Sequence, residues 1–296
     1  MHFKLTITII GLLLLNGCMT LAPSEKSLLA NQTPIASSNY AETLNNIRML
    51  NSDVNVDIVE IEQPDSNTSI GIHIAQQNPD MVVLYFGPNN YPIEKQYKNV
   101  LPFMLEMNAD VYWFDYRGFG FTGGEATLEN LKADANFIFN TVKEKSDKPL
   151  VVHGLSIGSI LAINLAAKED VSTLVIEGSV TNVSDWMDEV FVSEAKYSYG
   201  IPTLLGYVIK PFVNIQPSKE LLEIDNIKAL NKHSGKLLML LAEEDWETPP
   251  SINKKLYDSL EQNENKELHV IKNVGHLDLL TSRDVIDIYS KFVFVK

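Results

Sequence analysis

The stretch that decides the fold is Val151-Val152-His153-Gly154-Leu155-Ser156-Ile157-Gly158-Ser159. An apolar run ends at His153, as a strand buried on both faces does, and an apolar helix begins near Ile157. A serine caught between them must turn sharply, with its hydroxyl pushed into the open. Gly154 and Gly158, two before and two after, keep that turn free of clashes. The helix start behind the serine offers unpaired N–H groups and a positive dipole end to a developing oxyanion. A bare G-x-S-x-G pattern is common by chance. At a strand-to-helix junction it predicts a nucleophile, Ser156.

Working outward, the same alternation recurs along the chain. Residues 54–61 and 69–75 alternate apolar with polar, separated by the turn residues Pro64-Asp65-Ser66-Asn67. They read as an antiparallel hairpin with one solvated face. Met81–Phe86 is a continuous apolar run, followed by others at 110–114, 150–153, 173–176, 236–241 and 268–271. Helical stretches are expected at 93–107, 128–145, 157–168, 250–262 and 279–292. The pattern predicts an α/β fold with a mostly parallel central sheet of about eight strands, an N-terminal antiparallel hairpin and helices on both faces. One interruption, 181–233, is too long for a plain connection. It is read as a small helical lid inserted after the sixth strand.

The chain has 296 residues, enough for one full-sized core. Its formal net charge of −14 argues against a nucleic-acid partner, because nothing would neutralise phosphates. Cys18 is the single cysteine, so no intramolecular disulfide can form. Met1-His2-Phe3-Lys4, an apolar run from Leu5 to Leu15 and Asn16-Gly17-Cys18 have the layout of a secretory signal. The run is short of the roughly twenty residues a membrane span needs. Leu15-Asn16-Gly17-Cys18 also resembles a bacterial lipobox, in which the cysteine is lipidated and becomes the new N-terminus. The expected organisation is a signal peptide at 1–17, a lipid-anchored tether at 18–50 with a short helix near 40–50, and the folded domain at 51–296. Met19 is not the aspartate associated with inner-membrane retention, so the periplasmic side of a bacterial outer membrane is the expected location.

A serine hydroxyl needs an adjacent base held by a carboxylate. Of six histidines, His2 lies in the signal, His233 in a polar loop, and His73 and His269 within strands. His153 precedes the elbow in its strand, so its ring should point into the sheet. His276, in Asn273-Val274-Gly275-His276, follows a strand directly and is the expected base. For the orienting acid, Asp245 lies in the loop beyond the strand 236–241. Glu243, Glu244 and Glu177 are its competitors. The order Ser156, Asp245, His276 differs from that of the chymotrypsin-type and subtilisin-type proteases.

From about Met81 to the C-terminus the sequence resembles the α/β-hydrolase superfamily, nearest its small esterase-, thioesterase- and aminopeptidase-like serine hydrolases. Asp115-Tyr116-Arg117-Gly118-Phe119-Gly120-Phe121-Thr122-Gly123-Gly124 is similar to the branch's D-Y-R-G-x-G-x-S-x-G segment. Asp245 followed by Thr248-Pro249-Pro250 resembles its acid loop, and Gly275-His276 its histidine loop. The resemblance implies that Asp115 and Arg117 order the loops around the site. It places the oxyanion hole after the third strand, at Tyr85-Phe86-Gly87-Pro88-Asn89. Pro88 has no N–H, so the backbone N–H of Asn89 is the expected donor, paired with that of Ile157. The implied reaction is hydrolysis of a carboxylic ester or thioester of a small acyl substrate, with no metal or organic cofactor. A lid with Trp186, Phe191, Tyr197, Tyr199 and Tyr207 could line an acyl pocket. An aminopeptidase, with Glu177, Asp185, Asp188 or Glu189 holding a free amine, is the alternative. A non-catalytic binding lipoprotein is the alternative of another class.

Overall fold

The computed structural model describes residues 19–29, 32, 37–51, 53–261 and 265–294. The signal segment and Cys18 lie outside the described residues. In chain order the strands are β1 (Met19–Leu21), β2 (Asn55–Glu62), β3 (Thr68–Ala75), β4 (Met81–Phe86), β5 (Ala109–Phe114), β6 (Leu150–Leu155), β7 (Thr173–Glu177), β8 (Val213–Ile215), β9 (Lys236–Ala242) and β10 (Lys266–Ile271). Eight of them form one sheet in the order β10-β9-β7-β6-β4-β5-β3-β2. The pairs from β10 through β5 are parallel, whereas β3 runs antiparallel to both β5 and β2. The expected hairpin and mostly parallel sheet are both present.

Alternation along the strands builds two cores. Val82, Leu84 and Phe86 of β4 face one layer, together with the helices Leu128–Lys143 and Ile157–Ala166. Met81, Val83 and Tyr85 face the other, with the helices Ile93–Glu106 and Arg283–Phe294. Strands buried on both faces must be apolar throughout, and all six residues of β4 are buried. Strand β6 sits between β4 and β7, where the order of connection reverses. Loops at the carboxyl ends of strands flanking such a switch point open a crevice suited to a ligand, and Ser156 lies there.

The insertion runs from β7 to β9 and is mainly helical. It contains the helices Val183–Tyr197, Thr203–Ile209, Lys219–Leu222 and Asn226–Leu230, with the 3₁₀ turn Lys210–Phe212. The short strand β8 was not foreseen. It pairs in parallel with β1, Met19 opposite Val213 and Leu21 opposite Ile215.

That pairing falls within the segment 18–50 expected as a tether. Within it, Glu25–Leu28 and Ser37–Arg48 are helical, and Leu29, Leu44 and Ile47 are buried in the two cores. Pro23 O and Leu21 O accept from Ser218 and Gln216 of the insertion. Farther on, Leu28 O accepts from Asn89 Nδ2 at 2.6 Å, and Glu25 Oε1 accepts from Leu128 N. The segment is a strap, tied at one end to the insertion and at the other to the loops after β4 and β5. A polar composition reads as linker. A few apolar residues at the right depth are enough to seat it.

Candidate active site

Ser156 has φ 58° and ψ −120°, a left-handed conformation that a non-glycine residue holds only where its surroundings over-determine it. Its N–H donates to Glu177 O at 3.0 Å, and its C=O accepts from Ser159 N and Oγ at 2.9 and 2.6 Å. The flanking glycines are steric necessities. A Cβ on Gly154 would lie 2.3 Å from Gly158 O, and one on Gly158 would lie 2.0 Å from Phe86 O. The helix Ile157–Ala166 therefore starts against the end of β4. Gly158 thus lies against Phe86 and Gly87, which lead into the loop carrying Asn89.

The two expected partners of the serine meet each other. His276 Nδ1 donates to Asp245 Oδ2 at 2.7 Å, with both side chains buried. Asp245 also accepts from Glu247 N (2.9 Å), Thr248 N (2.8 Å) and Thr248 Oγ1 (2.6 Å), so its carboxylate is fixed in position as well as charge. The carboxylates of Glu243 and Glu177 are engaged elsewhere, and Glu244 is tied down through its backbone. Glu243 Oε2 accepts from Asn273 N, Glu244 N donates to Val274 O, and Glu177 pairs with His153. The first two bonds, with Glu243 N to Ile271 O, lace the acid loop to the histidine loop.

Gly178 connects this pair to the serine. It follows Glu177, whose carbonyl holds Ser156, and a Cβ at Gly178 would lie 3.0 Å from His276 Cε1. Its φ of 54° lets the chain turn away there. The hydroxyl of Ser156 is not hydrogen-bonded to His276 Nε2 in this resting geometry, a contact that often tightens only with substrate present. The nearest carboxylate oxygen to Nε2 is Glu247 Oε2, at 4.0 Å. Burial alone would depress the pKa of His276. The hydrogen bond and charge of Asp245, with the charges of Glu247 and Glu177, outweigh it and hold the imidazole above its ordinary value.

Two contributors escaped the sequence reading. Asn253 is buried, accepts from Ser179 N at 2.8 Å and donates to Thr248 O at 2.9 Å, joining the exit of β7 to the acid loop. Glu247 sits in the run Glu243–Glu247, where no spacing singles it out. Only the fold reveals which carboxylates turn toward a shared centre.

The segment Asp115–Gly124 orders loops, as expected. Asp115 is buried and accepts from Ile93 N (2.8 Å) and Phe121 N (2.9 Å); burial pushes its carboxyl up to about 7 against the pull of those donors. Gly120 has φ 50°, and a Cβ there would lie 2.0 Å from Asp115 Oδ2. Arg117 clamps Asp134 through two bonds of 2.6 Å and Asp65 through bonds of 2.5 and 3.0 Å, uniting a helix with the β2–β3 turn.

The aromatic residues of the insertion are not disposed as an acyl-pocket lining. Tyr197, Tyr199 and Tyr207 are exposed, and the helix Thr203–Ile209, which carries Tyr207, buries only Gly206. Trp186 is half-buried and donates from Nε1 to Glu247 O at 2.7 Å, pinning the insertion to the acid loop. Three of the four proposed amine ligands are also occupied. Asp185 bonds Lys255 at 2.8 Å, Asp188 lies 3.4 Å from Lys210, and Glu177 is sealed inside. Asn89 uses its side chain on the strap, and its backbone N–H lies in the loop beside the elbow.

Residues 93–204 match the family described as serine aminopeptidase, S33. That span includes the Asp115–Gly124 segment and the elbow, and stops before Asp245 and His276. Among curated relatives, the chain is 30% identical to Protein bem46 of Schizosaccharomyces pombe over 57% of its own length and 52% of the relative's. It is 28% identical to lysophosphatidylserine lipase ABHD12 of Danio rerio, over 57% and 44% respectively. The chain thus spans about half the length of these relatives. Among solved structures, the esterase Pf2001 of Pyrococcus furiosus superposes with a TM-score of 0.65 at 20% identity, over 89% of this chain and 96% of that one. A cold-adapted esterase from an Arctic intertidal metagenomic library superposes with a TM-score of 0.55 at 14% identity, covering 81% and 95%. With its β-sheet order, its elbow and these superpositions, the chain has the α/β-hydrolase fold.

Proposed function

We propose that the protein is a serine hydrolase that cleaves a carboxylic ester through Ser156, His276 and Asp245. The observation that carries this reading is the strained Ser156 at a buried helix start, one residue removed, across Gly178, from a buried His276–Asp245 pair. In the reaction, Ser156 Oγ attacks the acyl carbon while its proton passes to His276 Nε2. The N–H groups of Ile157 and Asn89 hold the oxyanion. His276 then gives the proton to the departing alcohol as the ester C–O bond breaks. Water attacks the acyl-enzyme with His276 again taking a proton, and the free acid and Ser156 are released. Asp245 keeps Nδ1 protonated and stabilises the imidazolium throughout.

An ester is favoured over an amide because three of the four acidic side chains considered for a substrate amine, Glu177, Asp185 and Asp188, already pair with His153, Lys255 and Lys210. The names of two similar proteins, a lysophosphatidylserine lipase and an esterase, agree with it. The test compares hydrolysis of a short-chain p-nitrophenyl ester with that of an aminoacyl p-nitroanilide, using Ser156→Ala as the blank. Ester turnover well above anilide turnover, both lost in the variant, supports the proposal. Preferred cleavage of the anilide would make the protein an aminopeptidase. Turnover of neither by folded protein would favour a binding role.

Attachment to a membrane through a lipidated Cys18 belongs to the same reading, with the periplasmic side of an outer membrane as its place. Among the described residues no helix is long and apolar enough to cross a membrane. Mass spectrometry of the mature N-terminus should find an acylated Cys18. An unmodified Cys18, or another first residue, would rule the anchor out.

A further inference from the structure

The insertion turns an apolar face outward. In the helix Thr203–Ile209, Gly206 packs against Val192, while Leu204, Tyr207 and Val208 are 78%, 51% and 56% exposed. Their spacing puts them on the side opposite Gly206. Phe212, in the following 3₁₀ turn, extends the face and is 41% exposed. Tyr197 and Tyr199 are exposed just before it. Large apolar side chains gathered on one helix face mark a contact surface, whereas single ones scattered over a protein do not.

The course of the chain indicates what covers this face. Strands β1 and β8 are parallel, with Met19 opposite Val213. The described chain therefore begins one strand position from Phe212, about 3.3 Å along the strand. The sequence entering at that point is the apolar run Leu5–Leu15 followed by Asn16-Gly17-Cys18. Whether the run itself or an acylated Cys18 partitions into lipid, it joins the described chain at Met19, opposite the residue after Phe212. A bilayer that takes one meets the other. Tyrosines at the edge of an apolar face also suit the headgroup level, where a ring can be half-immersed. The charge is consistent with a neutral surface: Lys210 is drawn to Asp188 at 3.4 Å, and the chain as a whole carries −14.

We propose that Leu204, Tyr207, Val208 and Phe212 form a membrane-docking face that rests in the interfacial layer of a zwitterionic phospholipid bilayer, next to the N-terminal segment. This contact is distinct from the anchor, and it fixes which side of the molecule faces lipid. Through Trp186 and Glu247 the insertion is tied to the loop that holds Asp245, so the docked side is the one connected to the candidate active site.

The test uses the full chain on phosphatidylcholine vesicles, with Leu204→Trp and Val208→Trp as reporters and Met49→Trp as the control. Met49 is 81% exposed, at the end of the helix Ser37–Arg48. Each variant is compared with the parent, whose own tryptophans supply the background. Brominated phosphatidylcholine should quench the added emission of L204W and V208W several-fold more than that of M49W. Equal quenching at all three sites in vesicle-bound protein would overturn the proposal, as would failure of the chain to sediment with vesicles. Blue-shifted emission of L204W without lipid, insensitive to brominated lipid when vesicles are added, would assign the face to a second copy of the chain instead.

Discussion

The described residues include two buried histidine–carboxylate pairs, and their difference shows what makes such a pair a site. His153 Nε2 lies 2.5 Å from Glu177 Oε1, and its Nδ1 faces the Tyr289 hydroxyl at 3.3 Å. Both of its ring nitrogens are occupied and the ring has no exposed surface. His276 holds Asp245 through Nδ1 in the same way, but sits on a loop at the carboxyl edge with Nε2 hydrogen-bonded to no described residue and Glu247 Oε2 4.0 Å away. Chemically the pairs are alike. One is a bolt through the sheet, and the other has a nitrogen left to move a proton. The two even share a backbone, since Glu177 O holds Ser156 while the Glu177 side chain holds His153.

The comparison can be broken by substitution. The largest effect is expected from Asp245→Asn, which leaves the packing intact but disturbs the imidazole tautomer. It should lower kcat on the order of 10⁴-fold, as the corresponding change does in a serine protease. Thermal melting should scarcely move. The mirror experiment, His153→Ala, should strand a buried carboxylate and cost about 3–5 kcal/mol of stability, read by urea denaturation. A His153→Ala protein as stable as the parent would remove the distinction drawn here.

Arg117→Ala should resemble His153→Ala. It leaves Asp134 buried without its guanidinium, at a cost of about 3–5 kcal/mol. The smallest and most discriminating change is Glu247→Gln. Nε2 must be unprotonated to accept from Ser156, so activity should climb with pH through the His276 pKa, which lies above the ordinary value of about 6.5. Removing a negative neighbour makes the imidazolium less favourable and lowers that pKa. The acid limb of the kcat/KM profile should therefore move to lower pH, with little change on its plateau. A shift to higher pH, or none, would mean that Glu247 does not act on His276.

How much of this was legible in the sequence follows from how each feature is encoded. Strands buried on both faces are written as continuous apolar runs, so β4, β6 and β9 were found with ends displaced by two residues at most. The elbow was legible because Gly154 and Gly158 are steric requirements of a turn made by adjacent residues. Asp245 and His276 were legible through their places just beyond strands. The strap was not, since β1 and β8 are three residues each and exist only by pairing with one another. A three-residue strand has no period to detect. The outward turn of Tyr207 was hidden for a related reason. An aromatic residue on a short helix reads as core until the fold shows which side Gly206 takes. Asn253 and Glu247 become visible only when distant segments converge.

The central claim is that Ser156 is the nucleophile activated by His276. Its most direct test is covalent labelling of the purified, folded protein with a fluorophosphonate, followed by peptide mapping. A single phosphonyl adduct on Ser156 is expected, absent from Ser156→Ala and strongly slowed in His276→Ala. Labelling of Ser156→Ala at unchanged stoichiometry, or an adduct mapping to another residue, would contradict it.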